Sequence, residues 1–553
     1  MRRTGTLSAH MNPSNTRGSG RSCLATASQW LSAAEAASPR LQASLRGIYG
    51  PGTDVPARRL VRIRDLAARF LSLFGDGPVI VTRAPGRVNL MGRHIDHQGG
   101  HCNMLAIEHD LYIMAGLRGD AQLRLHNLDD SAFPPYVGDV HAVLPGYVGG
   151  DWRAYVDSTP VCQQAAREAG QWQQYVKAAI ARLIATFPET PWQGLNIVAA
   201  GDIPIAAGLS SSSALVVAAA EAIAGLYGLS IAPERFAEMC GEAEWYVGAR
   251  GGAGDQAAMK FAQTGHVVQL SFHPLRVEQV APWPEECSLL VFNSGILARK
   301  SAGARNTFNQ RVACYHIARE IVKLRRPDLA ERIGHLRDLA PFRMAVPDAR
   351  IAELMLTVPE RMTRTEITTL LGDERAAALL ASHTWDDGHY YLRSVAMFGI
   401  TECERSRRCS RLLEDGATQE IGRLMTVSHD GDRVSCSARG NYGPNGKAYP
   451  DSEICDIVDR CRAGASLADE PGAYACSTPE IDHMVDTSLR VAGVLGSQLS
   501  GAGLGGCMMV LAQHESVPAV IEAMEREHYT PRELPVMAHI CRPVGGSGTI
   551  ALA

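Results

Sequence analysis

Residues 84–100 hold two Arg, two His, one Asp and four Gly, directly behind a short β-like run at 79–81. Side chains this rich in charge and hydrogen-bonding capacity are costly to bury unless a ligand or partner satisfies them. The stretch therefore reads as a binding loop, and the fold must present it beside a sheet. The elements around it follow from periodicity. An amphipathic helix is expected at 57–74, where Leu60, Ile63, Leu66, Phe70 and Leu73 recur at helical spacing. A second apolar stretch covers 104–117. Strands are expected at 194–200, 267–272 and 288–292, and helices at 215–227 and 234–248. From about residue 294 to 413 the pattern turns to charged helices. Residues 436–474, polar and rich in Gly, Asp and Arg, read as an inserted surface loop. A helix at 481–492, a Gly-rich turn and strands at 508–511 and 536–539 complete the chain.

With 553 residues the chain is long enough for two or more domains, and its formal net charge is −4. Acidic and basic residues are mixed, which argues against a general nucleic-acid or membrane-surface protein. No apolar run reaches the ~18–20 residues of a spanning helix; the nearest, 214–229, is broken by Glu221. Fourteen Cys without a C-x-x-C pair point to reduced, mostly buried thiols and a cytoplasmic setting. Residues 1–34 carry Arg, Ser, Thr and Gly but no acid. A transit peptide, a floppy leader and an upstream start codon before Met11 all share that composition. Residues 1–40 are therefore expected to be a disordered leader, and ordered sequence to begin near Leu41.

Two further motifs carry chemistry. Gly208-Leu209-Ser210-Ser211-Ser212-Ser213 runs straight into the small-residue helix. Free N–H groups and a partial positive charge at a helix start make an anion site, and the Ser hydroxyls add hydrogen bonds or a metal ligand. Ser500-Gly501-Ala502-Gly503-Leu504-Gly505-Gly506-Cys507 precedes a strand and alone marks a tight connection.

These three motifs, in this order, resemble the GHMP kinase superfamily, the galactokinase, homoserine kinase, mevalonate kinase and phosphomevalonate kinase group. Pro85 to His97 resembles the galactokinase and N-acetylgalactosamine kinase pattern Pro-Gly-Arg-Val-Asn-Leu-Ile-Gly-Glu-His-Thr/Ile-Asp-Tyr at all but a few positions. The likeness continues through Ala243-Glu244, Gly251-Gly252-Ala253-Gly254-Asp255-Gln256, Asn293-Ser294, Phe308-Asn309-Gln310-Arg311, Met425-Thr426-Val427-Ser428-His429, Pro479-Glu480-Ile481-Asp482 and Arg542-Pro543-Val544-Gly545-Gly546. The resemblance implies a two-lobed α+β fold: a ribosomal-protein-like N-terminal lobe at 41–290 and a ferredoxin-like C-terminal lobe at 291–553. It also implies ATP and Mg²⁺, a small sugar as partner, and a monomer or weak dimer. By it, Asp255 is the catalytic carboxylate at the anomeric hydroxyl, with Arg87 beside it. Gly208 to Ser213 hold the nucleotide phosphates, Ser212 and Glu244 the metal, and His94, Asp96 and Gly252 the sugar. A carboxylate that takes the hydroxyl proton, and a guanidinium that counters phosphoryl charge, suit phosphoryl transfer.

Three sugar-side positions depart from the galactokinase pattern. Arg93 stands where a Glu binds a sugar hydroxyl, and His97 and Phe308 each stand where there is a Tyr. Arg offers donors in a fork that fits carboxylates, and the run from His94 to Gly100 resembles plant galacturonokinases. One reading pairs Arg93 with the carboxylate of galacturonate, and this substrate is slightly favoured. The other swings Arg93 outward or pairs it with a protein acid, and leaves a neutral sugar, galactose or N-acetylgalactosamine. A third reading, a non-catalytic sensor of ATP and sugar, predicts binding without turnover.

Overall fold

The computed structural model describes residues 24–205, 208–249, 251–297, 302–384 and 388–552. Strict side-chain alternation in three strands decides how the N-terminal lobe is layered. The chain opens with β1 (Ala25–Thr26), α1 (Ala27–Glu35), α2 (Pro39–Tyr49) and α3 (Val55–Phe74). It continues into β2 (Pro78–Met91), β3 (Cys102–Leu117), β4 (Gln122–Asn127) and β5 (Tyr136–Asp139). Then come α4 (Trp152–Val156), α5 (Thr159–Arg167), α6 (Gln173–Thr186) and β6 (Leu195–Gly201). These strands lie in the order β1-β2-β3-β6-β4-β5. Val79, Val81, Tyr112, Met114, Val198 and Ala200 face one way and bury Trp30, Leu45, Ile63 and Phe70 of α1–α3. Ile80, Ile113, Ala115, Ile197 and Ala199 face the other way, onto α6 and the helices α7 (Ser211–Tyr227) and α8 (Pro233–Tyr246). A short α9 (Gly254–Phe261) and the hairpin β7 (His266–Ser271) and β8 (Arg276–Pro282) close the lobe, with β7 paired to β3.

The C-terminal lobe is built on β9 (Cys287–Asn293), β10 (Val494–Ser500), β11 (Cys507–Gln513) and β12 (Ala538–Cys541), an antiparallel sheet of order β10-β11-β9-β12. Alternation again splits the faces. Leu290, Phe292, Met508 and Val510 pack on the helices Pro479–Leu489 and Val517–Met524. Leu289, Val291, Met509 and Leu511 meet Leu424 and Met425 and continue the core of the first lobe. A helical block, with α10 (Ala302–Arg325) and the helices Leu392–Glu414 and Asp451–Arg462, forms its own core beside them.

Four expectations are corrected. The leader does not extend to residue 40: α1 inserts a fully buried Trp30 into the sheet's packing, while 1–23 lie outside the described residues. The binding loop is shorter than 84–100, because 84–91 continue β2, paired with β3 through a register shift at Pro85/Gly86. The segment 436–474 is not a surface loop. Its helix Asp451–Arg462 buries Ile454, Ile457 and Val458, and Tyr449 and Tyr474 are core residues. Finally, the lobes do not divide at 290/291. β9 already belongs to the second sheet, and the tail returns to the first: Val544 bridges Ala106, and β13 (Gly548–Thr549) pairs with β2. The thiols do follow the expectation, since every described Cys is free and most are buried. Among the described residues no helix is long and apolar enough to cross a membrane.

Candidate functional site

β2 delivers Arg87 to the mouth of α7. Gly86 makes room there, since a Cβ on it would lie 3.2 Å from the Leu209 carbonyl, which accepts the Arg87 backbone N–H at 3.3 Å. The Arg87 guanidinium grips Asp255 in a fork, Nε to Oδ1 and Nη2 to Oδ2, both at 2.7 Å. Its Nη1 donates to the Gly208 carbonyl at 2.7 Å. Such paired, charge-assisted bonds fix both partners in one plane. Asp255 sits in the first turn of α9 with a third of its side chain exposed, so the carboxylate is held yet open to a ligand.

The turn into α7 is tight. Ser210 takes a left-handed conformation, φ +60°, and its hydroxyl donates to Asp255 instead of capping the helix. The N–H groups of the first turn, at Ser211, Ser212 and Ser213, are thus left for an anion. Ser211 and Ser212 are half-buried, while Ser213 and the Leu209 side chain are buried. Gly208, at φ +75°, lies against the third motif: a Cβ on it would come 3.2 Å from the Ser500 carbonyl, and one on Gly501 3.1 Å from the Gly208 carbonyl. This backbone contact explains the small residues of both motifs.

Glu244, on α8, accepts from Gln256 Nε2 at 2.7 Å. Tyr175 faces both Ser212 and Glu244; burial, then the Glu244 charge, raise its phenol above the ordinary value. Ser212 and Glu244 thus converge on one side chain. A hydroxyl and a carboxylate are the hard oxygen donors that Mg²⁺ prefers. No group of three or more His, Cys, Asp or Glu forms a metal cage among the described residues, so a metal here would take its remaining ligands from phosphate and water.

On the sugar side, Asp96 lies in the turn between β2 and β3, within reach of the loop before Asp255. A Cβ on Gly252 would come 2.8 Å from Asp96 Oδ2, and one on Gly254 3.1 Å. Burial acts to raise the Asp96 carboxyl, but its hydrogen bond to His97 and the neighbouring imidazoles outweigh it, and the group is held below its usual value. His97 meets Asp96 at 3.2 Å and packs near Tyr315. Phe308 is half-buried on α10, seven residues before Tyr315 and so on the same helix face.

Arg93 is not free to meet a substrate carboxylate. Its guanidinium, 2 % exposed, bonds Asp432 at 2.9 Å, Gln498 and the Leu499 carbonyl at 2.7 Å each, and Ser428 at 3.1 Å. The geometry is that of the second reading, with a protein acid as the partner of Arg93. Sequence reasoning missed that partner, together with Glu402, which accepts the backbone N–H groups of Gly92 and Arg93. Nothing in the local pattern around Asp432 signals a contact with a loop 339 residues away.

Three stretches match family models: residues 68–117 the galactokinase galactose-binding signature, 174–263 the GHMP kinases N-terminal domain, and 459–530 the GHMP kinases C-terminal domain. The galactokinase of Streptomyces coelicolor is 30% identical over 83% of this chain and 90% of its own length. The chain belongs to the galactokinase family. The galactokinase of Dictyostelium discoideum is 25% identical over 85% of this chain and 88% of its own. In fold, the chain is similar to the crystal structure of Lactococcus lactis galactokinase complexed with galactose, with a TM-score of 0.61, 21% identity, and 87% and 97% of the two chains covered. This galactokinase-family chain is a sugar kinase of two-lobed α+β fold, with ATP implied as phosphoryl donor.

Proposed function

We propose that the protein transfers the γ-phosphoryl group of ATP to the anomeric hydroxyl of a neutral, galactose-type hexose, giving the α-sugar 1-phosphate and ADP. The observation that carries the reading is the Arg87–Asp255 fork set against the open N-terminus of α7. Asp255 takes the proton of the anomeric hydroxyl as its oxygen attacks the γ-phosphorus, and the bond to the β–γ bridging oxygen breaks. Arg87 orients that carboxylate and sets positive charge beside the phosphoryl group in flight. The first-turn N–H groups of α7 cradle the phosphates. Ser212 and Glu244 would hold Mg²⁺, which when bound neutralises phosphate charge. Asp96 and His94 hold sugar hydroxyls, and the Gly252 backbone lies against the ring. A neutral sugar is favoured because the Arg93 guanidinium is already matched by Asp432.

Asp255→Asn tests this. It keeps the side chain's shape and removes the base, so kcat falls by ~10²–10⁴ while binding of sugar and nucleotide persists. An unchanged kcat in a coupled ADP-release assay would overturn the assignment.

A further inference from the structure

The turn that carries Asp96 is supported from the other lobe. It is a single 3-10 turn, Asp96–Gln98, closed by Gly99, whose N–H donates to the Asp96 carbonyl at 3.0 Å. The Gly99 carbonyl in turn accepts from Arg337 Nη1 at 2.8 Å. The same guanidinium donates to the Phe272 carbonyl at 2.5 Å and, through Nη2, to the His273 carbonyl at 2.8 Å. Phe272 and His273 lie in the turn between β7 and β8, and β7 pairs with β3 just past the sugar loop. One cation thus ties together three carbonyls from two loops of the first lobe. Arg337 belongs to the helical block: it stands in the 3-10 turn Leu336–Leu339, which Leu336 and Leu339 root in that block's core. The same segment seats the sugar loop a second time, since the fully buried Ile95 packs with Ala340, Phe342 and Cys403. Gly99 must be small and left-handed here: its φ is +80°, and a Cβ on it would come 2.9 Å from Arg337 Cδ.

We propose that Arg337 is a positioning residue of the sugar site: by holding Gly99 it fixes the turn that keeps the Asp96 carboxylate against Gly252 and Gly254, on the approach to Asp255. The inference rests on the proposed sugar-kinase function. Arg337 reaches Asp96 through two hydrogen bonds in series, guanidinium to the Gly99 carbonyl and Gly99 N–H to the Asp96 carbonyl. Glu402 holds the opposite end of the loop, at Gly92 and Arg93. Among the described residues, no hydrogen bond of Arg337 reaches the Gly208–Ser213 loop or the Arg87–Asp255 fork. Its removal therefore acts on the sugar and leaves the nucleotide site alone.

The test is steady-state kinetics of Arg337→Met and Arg337→Lys, with galactose and ATP varied in turn. Arg337→Met should raise KM for galactose about tenfold with KM for ATP unchanged. Arg337→Lys keeps the charge, but its single nitrogen cannot span both loops as the planar fork does, so its KM for galactose should fall between those of Arg337→Met and the wild-type protein. A folded Arg337→Met protein with the wild-type KM for galactose would overturn the inference, as would an equal rise in both KM values. Amide hydrogen exchange in the wild-type protein needs no variant to fold. If Arg337 favours the sugar-binding form of the loop, galactose must favour the Arg337 contact in return, so the sugar should slow exchange in residues 334–342 as well as in 92–100. Protection confined to 92–100 would overturn the inference. Absence of galactose turnover in the wild-type protein would overturn the kinase function, and this inference with it.

Discussion

Replacing Arg93 by Met separates a structural guanidinium from one that meets substrate. Met keeps much of the stem's volume and removes the charge. The four polar contacts of the Arg93 side chain, to Asp432, Gln498, Ser428 and the Leu499 carbonyl, are lost together. Asp432, fully buried, loses the guanidinium that met it at 2.9 Å. Breaking a buried pair by removing one partner costs about 3–5 kcal/mol, a large part of the ~5–15 kcal/mol that typically holds a folded protein. An arginine facing the substrate cleft would change stability by only about 0.5 kcal/mol. Urea unfolding followed by tryptophan fluorescence distinguishes the two. Arg93→Met should lose ~3–5 kcal/mol, and Arg93→Met/Asp432→Leu, which removes both charges, should regain most of it. Wild-type stability in Arg93→Met, with a selective collapse of kcat/KM for galacturonate, would refute the buried-pair account.

Two other outcomes follow from buried charge. Asp110 joins Arg83 at 2.6 Å, Arg59 at 3.0 Å and the Tyr49 hydroxyl at 2.6 Å, tying α2 and α3 to β2 and β3; Asp110→Asn should cost about 3–5 kcal/mol and open the N-terminal helices to limited proteolysis. Stability should also fall in two steps on acidification. Burial holds the His316 and His383 imidazoles down to about 4, so the folded protein binds fewer protons than the unfolded chain below pH ~6.5 and loses on the order of 2 kcal/mol per group between there and pH ~4. Although burial opposes it, the hydrogen bond and charge of His429 lower Asp482 to about 2; its contribution, of similar size, is present above pH ~4 and disappears as pH falls toward ~2. A urea midpoint that stays flat from pH 7 to pH 4 would contradict this.

What could be read from the chain alone was what short-range periodicity encodes. α3, β6 and α7 lie where their apolar spacing put them, because each buries one face or both against a neighbour. The three motifs were legible as a set through their resemblance to one family, and only the run from Gly208 to Ser213 followed from phosphate chemistry by itself. Other features depended on distant partners. β10 carries Gly496, Ser497, Gln498 and Ser500, polar or small residues that read as a turn. They are buried because Gln498 serves Arg93 and the Leu90 carbonyl and Ser497 bonds Ser488. Trp30 looked like part of a leader because the sheet face that covers it begins some fifty residues later. Arg93 looked like a substrate contact because its counter-charge comes from the far side of the cleft.

The central claim is a sugar kinase in which Arg93 is held by Asp432 rather than left for a substrate carboxylate. It is tested most directly by comparing kcat/KM for galactose and galacturonate in an ADP-release assay with the wild-type protein. The account predicts turnover of galactose and a preference for it of at least about tenfold. Preference for galacturonate would contradict it.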